Sequence, residues 1–178
     1  MTEQESLLAA IHENVALHAY DFSWPAMFAA ERERLLTVLP ATFIDVQHFG
    51  STAIPGLAAK PIIDILAGVE SMAVAESVAE PLCASGYATS AEFNGELTDR
   101  KWFMRWANGH RTHHLHVVVH GDSVWRQRLR FRDALRSNPD LAARYAALKA
   151  ELAAKHNNDR EAYTDAKAAF VLSIAGDS

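Results

Sequence analysis

Three groups of residues have types and spacings that could perform chemistry. In the first group, Gly50 and Ser51 stand where an apolar, alternating segment gives way to a turn, and Asp64 lies in the next apolar segment. A glycine lets the backbone approach a phosphate closely, and a serine adds a hydroxyl to the backbone N–H donors. Asp64 could hold a divalent metal that bridges phosphate oxygens, and Lys60 could offset phosphate charge. The structural alternative is an ordinary connection with a capping serine and a partly buried aspartate.

The second group is a cluster of histidines. Five of the nine histidines fall between positions 110 and 120. In a strand, His114 and His116 point to one face while their neighbours point to the other. Two imidazoles at this spacing can ligate zinc, iron or nickel, and His48 could contribute a third. The alternative is hydrogen bonding in a polar cleft without a metal.

The third group consists of basic and aromatic side chains. Within a predicted helix over 159–174, Lys167 shares an apolar face with Tyr163 through their i,i+4 relation. A lysine there needs an acidic partner or a bound phosphate, unless its ammonium group reaches water. Further candidates for anion contacts are Arg105, Arg111 and Arg132, and candidates for stacking on a base, or for the core, are Trp102, Trp106 and Trp125.

The elements that must position these residues can be predicted in part. Apolar alternation, turn residues and capping residues predict strands over 43–49, 61–69 and 113–120, a strand at KWFMRW, and helices over 25–39, 72–86, 123–137, 140–155 and 159–174. Asn108-Gly109 indicates a tight turn. The secondary structure of residues 87–112 is the hardest to predict from their pattern. We expect one α+β or α/β domain over residues 1–178, with an ordered core of about 20–174. No G-x-G-x-x-G follows a strand, which argues against a Rossmann sheet.

Charge is divided unevenly along the chain. Residues 1–99 hold 3 Lys and Arg against 14 Asp and Glu, whereas residues 100–178 hold 14 against 8. This polarity could place a positive wall on a cleft that receives phosphates, or it could reflect two basic, solvated helices. A pI of about 6.0 argues against general nucleic-acid binding.

Cellular location can also be predicted from composition. No apolar run approaches the roughly 20 residues of a membrane span, and the N-terminus lacks a signal pattern. Cys83 is the single cysteine, so an intrachain disulfide is excluded. We expect a cytoplasmic protein that is not associated with a membrane.

Several segments together resemble the GrpB family. The similarity covers roughly residues 20–174, and the matching segments occur in the same order as in the family. They are WPAMFAAE, HFGSTAIPGLAAKPIIDIL, RTHHLHVVVHG, WRQRLRFRDALRSNPDLAARYAALK and DREAYTDAKAAFV. The resemblance implies a nucleotidyltransferase fold, whose pattern is Gly-Ser, about ten residues, then Asp-hydrophobic-Asp/Glu on the next strand. Asp64 matches the first carboxylate, but Leu66 stands at the second. Two-metal phosphoryl transfer needs several carboxylates, so this position lacks an expected ligand.

The resemblance also implies that the histidine strand lies beside the Asp64 strand. We therefore predict one mixed site. Its catalytic residues would be Asp64 and His116, its phosphate-binding residues Gly50, Ser51, Lys60 and Lys167, and its metal ligands Asp64, His114, His116 and His48.

This site predicts a nucleotidyltransferase-like enzyme that acts on a nucleotide or another phosphorylated small molecule. A divalent metal would assist, either Mg²⁺ or, if the histidines ligate, zinc, iron or nickel. A non-catalytic nucleotide- or metabolite-binding module is one alternative, since some GrpB relatives are appended to dephospho-coenzyme A kinase. A non-nucleotide Asp/His metalloenzyme is the other.

Overall fold

A four-stranded mixed sheet forms the centre of the computed structural model, which describes residues 1–176. The strands lie in the order β1-β2-β4-β3, with β2 and β4 parallel and both outer strands antiparallel to their neighbours. The strands are β1 (Asp45–Phe49), β2 (Ile63–Val69), β3 (Arg100–Ala107) and β4 (His110–Val119). The helices are α1 (Glu3–Ile11), α2 (Trp24–Val38), α3 (Met72–Ser77), α4 (Ala79–Ala84), α5 (Ala91–Glu96), α6 (Ser123–Ser137), α7 (Pro139–Lys155) and α8 (Arg160–Ala175), and a 3₁₀ turn covers Ser51–Ala53.

The alternation of side chains along β2 separates the two faces of the sheet. Ile63 and Ile65 point into the main apolar core, which α2, α3 and α4 cover. Asp64 and Leu66 point to the opposite face. There α6 packs on β1 and β4, and α7 and α8 pack on α6. Because successive strand residues alternate between faces, the only carboxylate of β2 lies on the side of the C-terminal helices.

The predicted α+β architecture is confirmed, and most predicted elements agree with the structure to within a few residues. The two-residue loop between β3 and β4 has Asn108 and Gly109 at φ 52° and 79°. Both angles are in the left-handed region that a tight hairpin requires, and Asn and Gly tolerate it best. Asp122 accepts a hydrogen bond from the Trp125 N–H and thereby caps α6.

One predicted helix is divided in two. The segment predicted as a single helix over 72–86 forms α3 and α4, which meet at Val78. Pro81 has no N–H to donate to the Ser77 carbonyl, and its ring would clash with that carbonyl in a continuous helix. The helix therefore ends at Ser77, whose carbonyl the proline leaves without a donor, and the break falls at Val78.

Two helices were not predicted from the sequence. α5 lies in the stretch that could not be assigned, and α1 precedes the range of 20–174 expected for the ordered core. α1 packs on the β3–β4 hairpin, where Ala10 is fully buried and the Ser6 hydroxyl accepts a 2.8 Å hydrogen bond from the Gly109 N–H. None of the helices in residues 1–176 is long and apolar enough to span a membrane.

Candidate functional site

A cavity of about 460 Å³ lies between the Asp64 face of the sheet and the C-terminal helices. Its size falls within the usual range for small-molecule pockets, roughly 300–1,000 Å³. The described residues that line it include one acidic side chain, Asp64, and six basic ones. The basic side chains are Lys60, Arg100, Arg111, Arg128, Lys149 and Lys167. We refer to this space as the cationic cavity.

Asp64 and Gly50 lie side by side at the wall of the cationic cavity. The β1–β2 register pairs Phe49 with Asp64, so the next residue, Gly50, turns beside the carboxylate. Gly50 has φ 71° and ψ −170°, a conformation that is essentially restricted to glycine. A Cβ atom at this position would lie 2.5 Å from Asp64 Oδ2. The glycine therefore both permits the turn to Ser51 and leaves room for the carboxylate.

His114 lies beside Asp64 on the neighbouring strand. The parallel β2–β4 register pairs the two residues, and His114 Nδ1 lies 3.7 Å from Asp64 Oδ1. His114 Nε2 lies 3.3 Å from Nη1 of Arg111. A guanidinium can only donate, so Nε2 accepts and the proton of the neutral ring is on Nδ1, facing the carboxylate. Nε2 of His114 therefore accepts a hydrogen bond from Arg111, and its Nδ1–H is directed towards Asp64.

His116 also faces the cationic cavity, with its ring edge-on to Phe49 at 5.4 Å between centroids. Burial, together with the charges of Arg128 and Arg100, lowers the pKa of His116 to about 3. The imidazole is therefore neutral near pH 7, and any catalytic role it has begins from the uncharged ring.

His48 lies on the opposite face of the sheet, which corrects its predicted place in the site. It pairs with the core residue Ile65, its ring stacks on Phe28 at 4.9 Å, and its Nε2 lies 2.9 Å from the Thr52 hydroxyl. That hydroxyl donates in turn to the Ile62 carbonyl, so it accepts from His48. Strand alternation explains the placement, because His48 is adjacent to Phe49, whose side chain faces the cavity.

Three lysines converge on the cationic cavity. Lys60 and Lys167 both lie over the Tyr163 ring, at 4.9 and 5.1 Å from its centroid. Lys149 lies over the Tyr145 ring at 5.4 Å and donates to the Ala58 carbonyl oxygen at 2.9 Å. The structure thus brings the two lysines predicted from sequence together with a third.

Lys149 was not predicted, although the sequence contained a signal. It is 1 % exposed and follows the buried Tyr145 at the i+4 position of α7. Lys167 has the same relation to Tyr163 in α8. The i,i+4 relation between a tyrosine and a lysine is therefore the sequence signal that both lysines share.

Burial and the neighbouring positive charges have opposite effects on the pKa of Asp64. Removal from bulk water raises the pKa of Asp64, while the positive charges of Lys167, Lys60, Lys149 and Arg128 lower it. Its side chain keeps 27 % of its surface exposed. One carboxylate surrounded by several cations leaves the cavity with a positive balance, which favours an anionic ligand.

The remaining candidates are divided between the cavity and other contacts. Trp102 and Arg111 line the cavity and contact each other, with the guanidinium carbon 5.9 Å from the ring centroid. Arg105 instead forms an ion pair with the buried Glu31 of α2, on the face of the sheet opposite the cavity. Arg132 donates to the Gln47 side chain, and Trp125 packs in the apolar cluster with Leu66. Trp106 does not line the cavity.

The donor set does not fit a zinc, iron or nickel centre held by the protein alone. Among the side chains that the structure describes within residues 1–176, which leave out residues 92, 93 and 160, no three His, Cys, Asp or Glu form a group that could hold a metal. His114 Nε2 already accepts from Arg111. Leu66 is fully buried in an apolar cluster where a second carboxylate would stand. Mg²⁺ makes a smaller demand on the protein, since one or two carboxylates and substrate phosphates usually hold it.

Known proteins resemble this chain over nearly its whole length. It is 39 % identical over 163 residues to a protein named glutamate-rich protein GrpB from Alkalihalophilus pseudofirmus, covering 90 % of this chain and 93 % of that one. It is 38 % identical over 168 residues to the UPF0157 protein YqkA of Bacillus subtilis. That match covers 92 % of this chain and 48 % of the relative, so the chain spans about half the length of the Bacillus protein.

A more distant relative has an enzyme name. The chain is 32 % identical over 169 residues to a dephospho-CoA kinase of Mycolicibacterium paratuberculosis, covering 85 % of this chain and 42 % of the kinase.

A solved structure and a family model agree on the affiliation. The crystal structure of the conserved protein GrpB from Enterococcus faecalis superimposes with a TM-score of 0.79 at 33 % identity, covering 90 % of this chain and 94 % of that one. The family model described as GrpB protein matches residues 14–176. The chain therefore belongs to the GrpB family.

Proposed function

We propose that the cationic cavity binds a nucleotide or another phosphorylated small molecule, as part of a nucleotidyltransferase-like domain. The observation that supports this most strongly is the charge of the lining, with six basic side chains and one carboxylate around about 460 Å³. Such a lining attracts phosphate groups, because each carries one to two negative charges.

The lining of the cavity offers two kinds of surface, cationic and aromatic. Lys60 and Lys167 lie together with the Gly50–Ser51 turn, where phosphate oxygens would be neutralised. Trp102 and Phe49 supply aromatic surface for a less polar part of the ligand. A ligand with a phosphate group and a planar or apolar portion fits both features, and nucleotides have this composition.

Asp64 is the candidate catalytic carboxylate of this proposal. It lies beside His114 and among the cations that would hold the phosphates. It could accept a proton from an attacking hydroxyl, or share Mg²⁺ with phosphate oxygens. His116 contributes a neutral imidazole at the same wall.

A non-catalytic binding module is the second candidate function, and Leu66 favours it. The apolar side chain at this position packs with Phe49, Val118 and Trp125. Transfer chemistry that depends on two metals would need another carboxylate there. The module would bind the same ligands without transferring a phosphoryl or nucleotidyl group.

Calorimetric titration with ATP and with dephospho-CoA, each with and without Mg²⁺, tests the proposal. The kinase relative makes dephospho-CoA a logical first ligand. Lys167→Met should weaken binding by about tenfold or more, since one phosphate contact is lost. Lys155→Met is the matched control, because Lys155 is exposed at the end of α7. Equal affinities for the wild type and Lys167→Met, or no binding of any phosphorylated ligand, would contradict the proposal.

Asp64→Asn separates the two roles of the carboxylate. Without Mg²⁺ the variant should bind phosphates more tightly than the wild type, because one negative charge has been removed. If Asp64 shares Mg²⁺ with the ligand, the variant should bind more weakly in its presence. Mg²⁺-dependent turnover that the variant loses would support the enzyme, whereas binding without turnover would support the module.

A further inference from the structure

Lys149 is a buried amine at the wall of the cationic cavity. It comes from the middle of α7, is 1 % exposed and contacts the Tyr145 ring. Its nitrogen donates to the Ala58 carbonyl oxygen, a neutral acceptor, at 2.9 Å. A single neutral acceptor compensates an ammonium group poorly for its lost hydration, so this position disfavours the charged form.

The neighbouring groups reinforce this effect. Burial and the positive charge of Lys167 on α8 lower the pKa of Lys149 to about 7, although Asp64 on β2 acts in the opposite direction. Lys60 and Arg128 bring further positive charge to the same cavity. A lysine that is desolvated beside another cation is a nucleophile at neutral pH, because a large fraction of it carries a free lone pair.

We infer that Lys149 is a covalent attachment site for a phosphorylated ligand that contains an aldehyde or ketone, which it binds as an imine. The inference rests on the proposed phosphate site, since Lys60 and Lys167 would hold the phosphate while Lys149 meets the carbonyl carbon. It adds a reactive residue and a substrate class to that site.

The step is balanced without a further reactant. The Nζ lone pair attacks the carbonyl carbon, a C–N bond forms, and a proton moves from nitrogen to oxygen to give a carbinolamine. The hydroxyl then leaves with the second N–H hydrogen as water, and a C=N bond replaces the C=O bond. Protonation of the imine from water restores a donor for the Ala58 carbonyl.

Two aldehydes test this inference on the intact protein. Pyridoxal 5′-phosphate and pyridoxal differ in the phosphate group, and borohydride reduction converts an imine formed with either into a stable secondary amine. Peptide mass spectrometry then gives the extent of labelling at each lysine. At about pH 7, Lys149 should be labelled at least about tenfold faster than the exposed Lys155 of the same helix, because an exposed lysine is almost entirely protonated.

The phosphate should raise the ratio of Lys149 labelling to Lys155 labelling by about tenfold, through attraction to the neighbouring lysines. The ratio is used because pyridoxal closes to an internal hemiacetal and is the slower reagent for any amine. Lys149→Arg should remove that adduct and leave labelling of Lys155 unchanged. Labelling of Lys149 no faster than Lys155, or labelling of Lys60 or Lys167 in its place, would overturn the inference. A preference for Lys149 over Lys155 that is the same for both aldehydes would support the amine but contradict the phosphate site, so the two failures are distinguishable.

Discussion

Gly50 shows how a single residue determines the geometry of the cavity wall. Its backbone conformation and the position of the Asp64 carboxylate depend on the same missing Cβ atom. Gly121 has a similar φ of 80°, but a Cβ atom there would meet nothing within 4 Å. Substitution of Gly121 therefore tests backbone strain alone, whereas substitution of Gly50 also tests the steric conflict with Asp64.

Gly50→Ala should destabilise the fold by about 1–3 kcal/mol through strain and should also weaken phosphate-ligand binding by about tenfold or more. Gly121→Ala should show a smaller loss of stability, from strain alone, with unchanged affinity. Urea unfolding and calorimetric titration measure the two quantities. Ligand affinity equal to that of the wild type in Gly50→Ala would argue against the Gly50–Ser51 turn as part of the site.

Two buried histidines, His48 and His113, and the half-buried His116 predict a loss of stability at acidic pH. Burial, as the largest cause, lowers the pKa of His48 and of His113 to about 4 and that of His116 to about 3. The unfolded chain binds protons at these residues near pH 6.5, before the folded chain does, so stability falls as pH decreases below about 6.5. Each histidine should contribute about 1–2 kcal/mol of the loss between about pH 7 and pH 5.

Urea unfolding at these two pH values measures the loss. His48→Gln keeps a donor for Thr52 and should reduce the difference between the two pH values, whereas His12→Gln, at an exposed position, should leave it unchanged. A wild type that is equally stable at both values would contradict the assignment of neutral histidines.

At the scale of the elements, α1 contributes to the cavity without lining it. Arg111 donates from Nε to the Ala10 carbonyl and from Nη2 to the Ile11 carbonyl, at 3.0 and 3.1 Å. Its other terminal nitrogen reaches His114. The C-terminal end of α1 therefore orients a guanidinium that forms part of the cavity wall.

Removal of residues 1–11 should weaken ligand binding by about threefold to tenfold while the lysines stay in place, because Arg111 loses two acceptors. Ser6→Ala is the milder variant, since it removes the acceptor of the Gly109 N–H and should cost about 1 kcal/mol of stability. Calorimetry and urea unfolding provide the measurements. Unchanged affinity after removal of α1 would show that the hairpin alone orients Arg111.

The elements also show where prediction from sequence reaches its limit. The strands of Asp64 and His114 were predictable from their apolar alternation, and the Gly-Ser turn from its residue types. The register that pairs Asp64 with His114 was not predictable, because it depends on contacts between distant segments. The proximity of His48 to Gly50 in sequence suggested a place in the site, but strand alternation turns its side chain to the opposite face of the sheet. α1 has a weak apolar periodicity, and its stability comes from packing on a hairpin that the sequence does not place beside it.

At the scale of the whole molecule, the basic second half of the chain supplies most of the positive charge that lines the cavity. Five of the six basic residues that line it come from residues 100–178, whereas Asp64 comes from the acidic first half. The prediction that this polarity could form a positive wall agrees with the lining. The two halves meet across the sheet face that carries Asp64.

Phosphate-ligand affinity should therefore depend on salt. An increase from about 0.05 M to about 0.5 M sodium chloride should weaken ATP binding by about tenfold or more, since screening reduces the attraction of the lysines and arginines. Adenosine, which lacks phosphates, serves as the control, and its affinity should change little. Calorimetric titration at both concentrations measures this, and a salt-independent affinity for ATP would argue against an electrostatic site.

The parallel pairing of β2 with β4 has a consequence for the order of folding. β1 and β2 are joined by a short connection and can form early, but β2 meets β4 only after three helices and β3 have been traversed. Closing such a long loop carries an entropic cost before the contacts that compensate for it exist. During synthesis, the apolar surface of Leu66 and the Asp64 face would stay uncovered until α6 to α8 have left the ribosome, so the ligand-binding wall is the last part of the molecule to be completed.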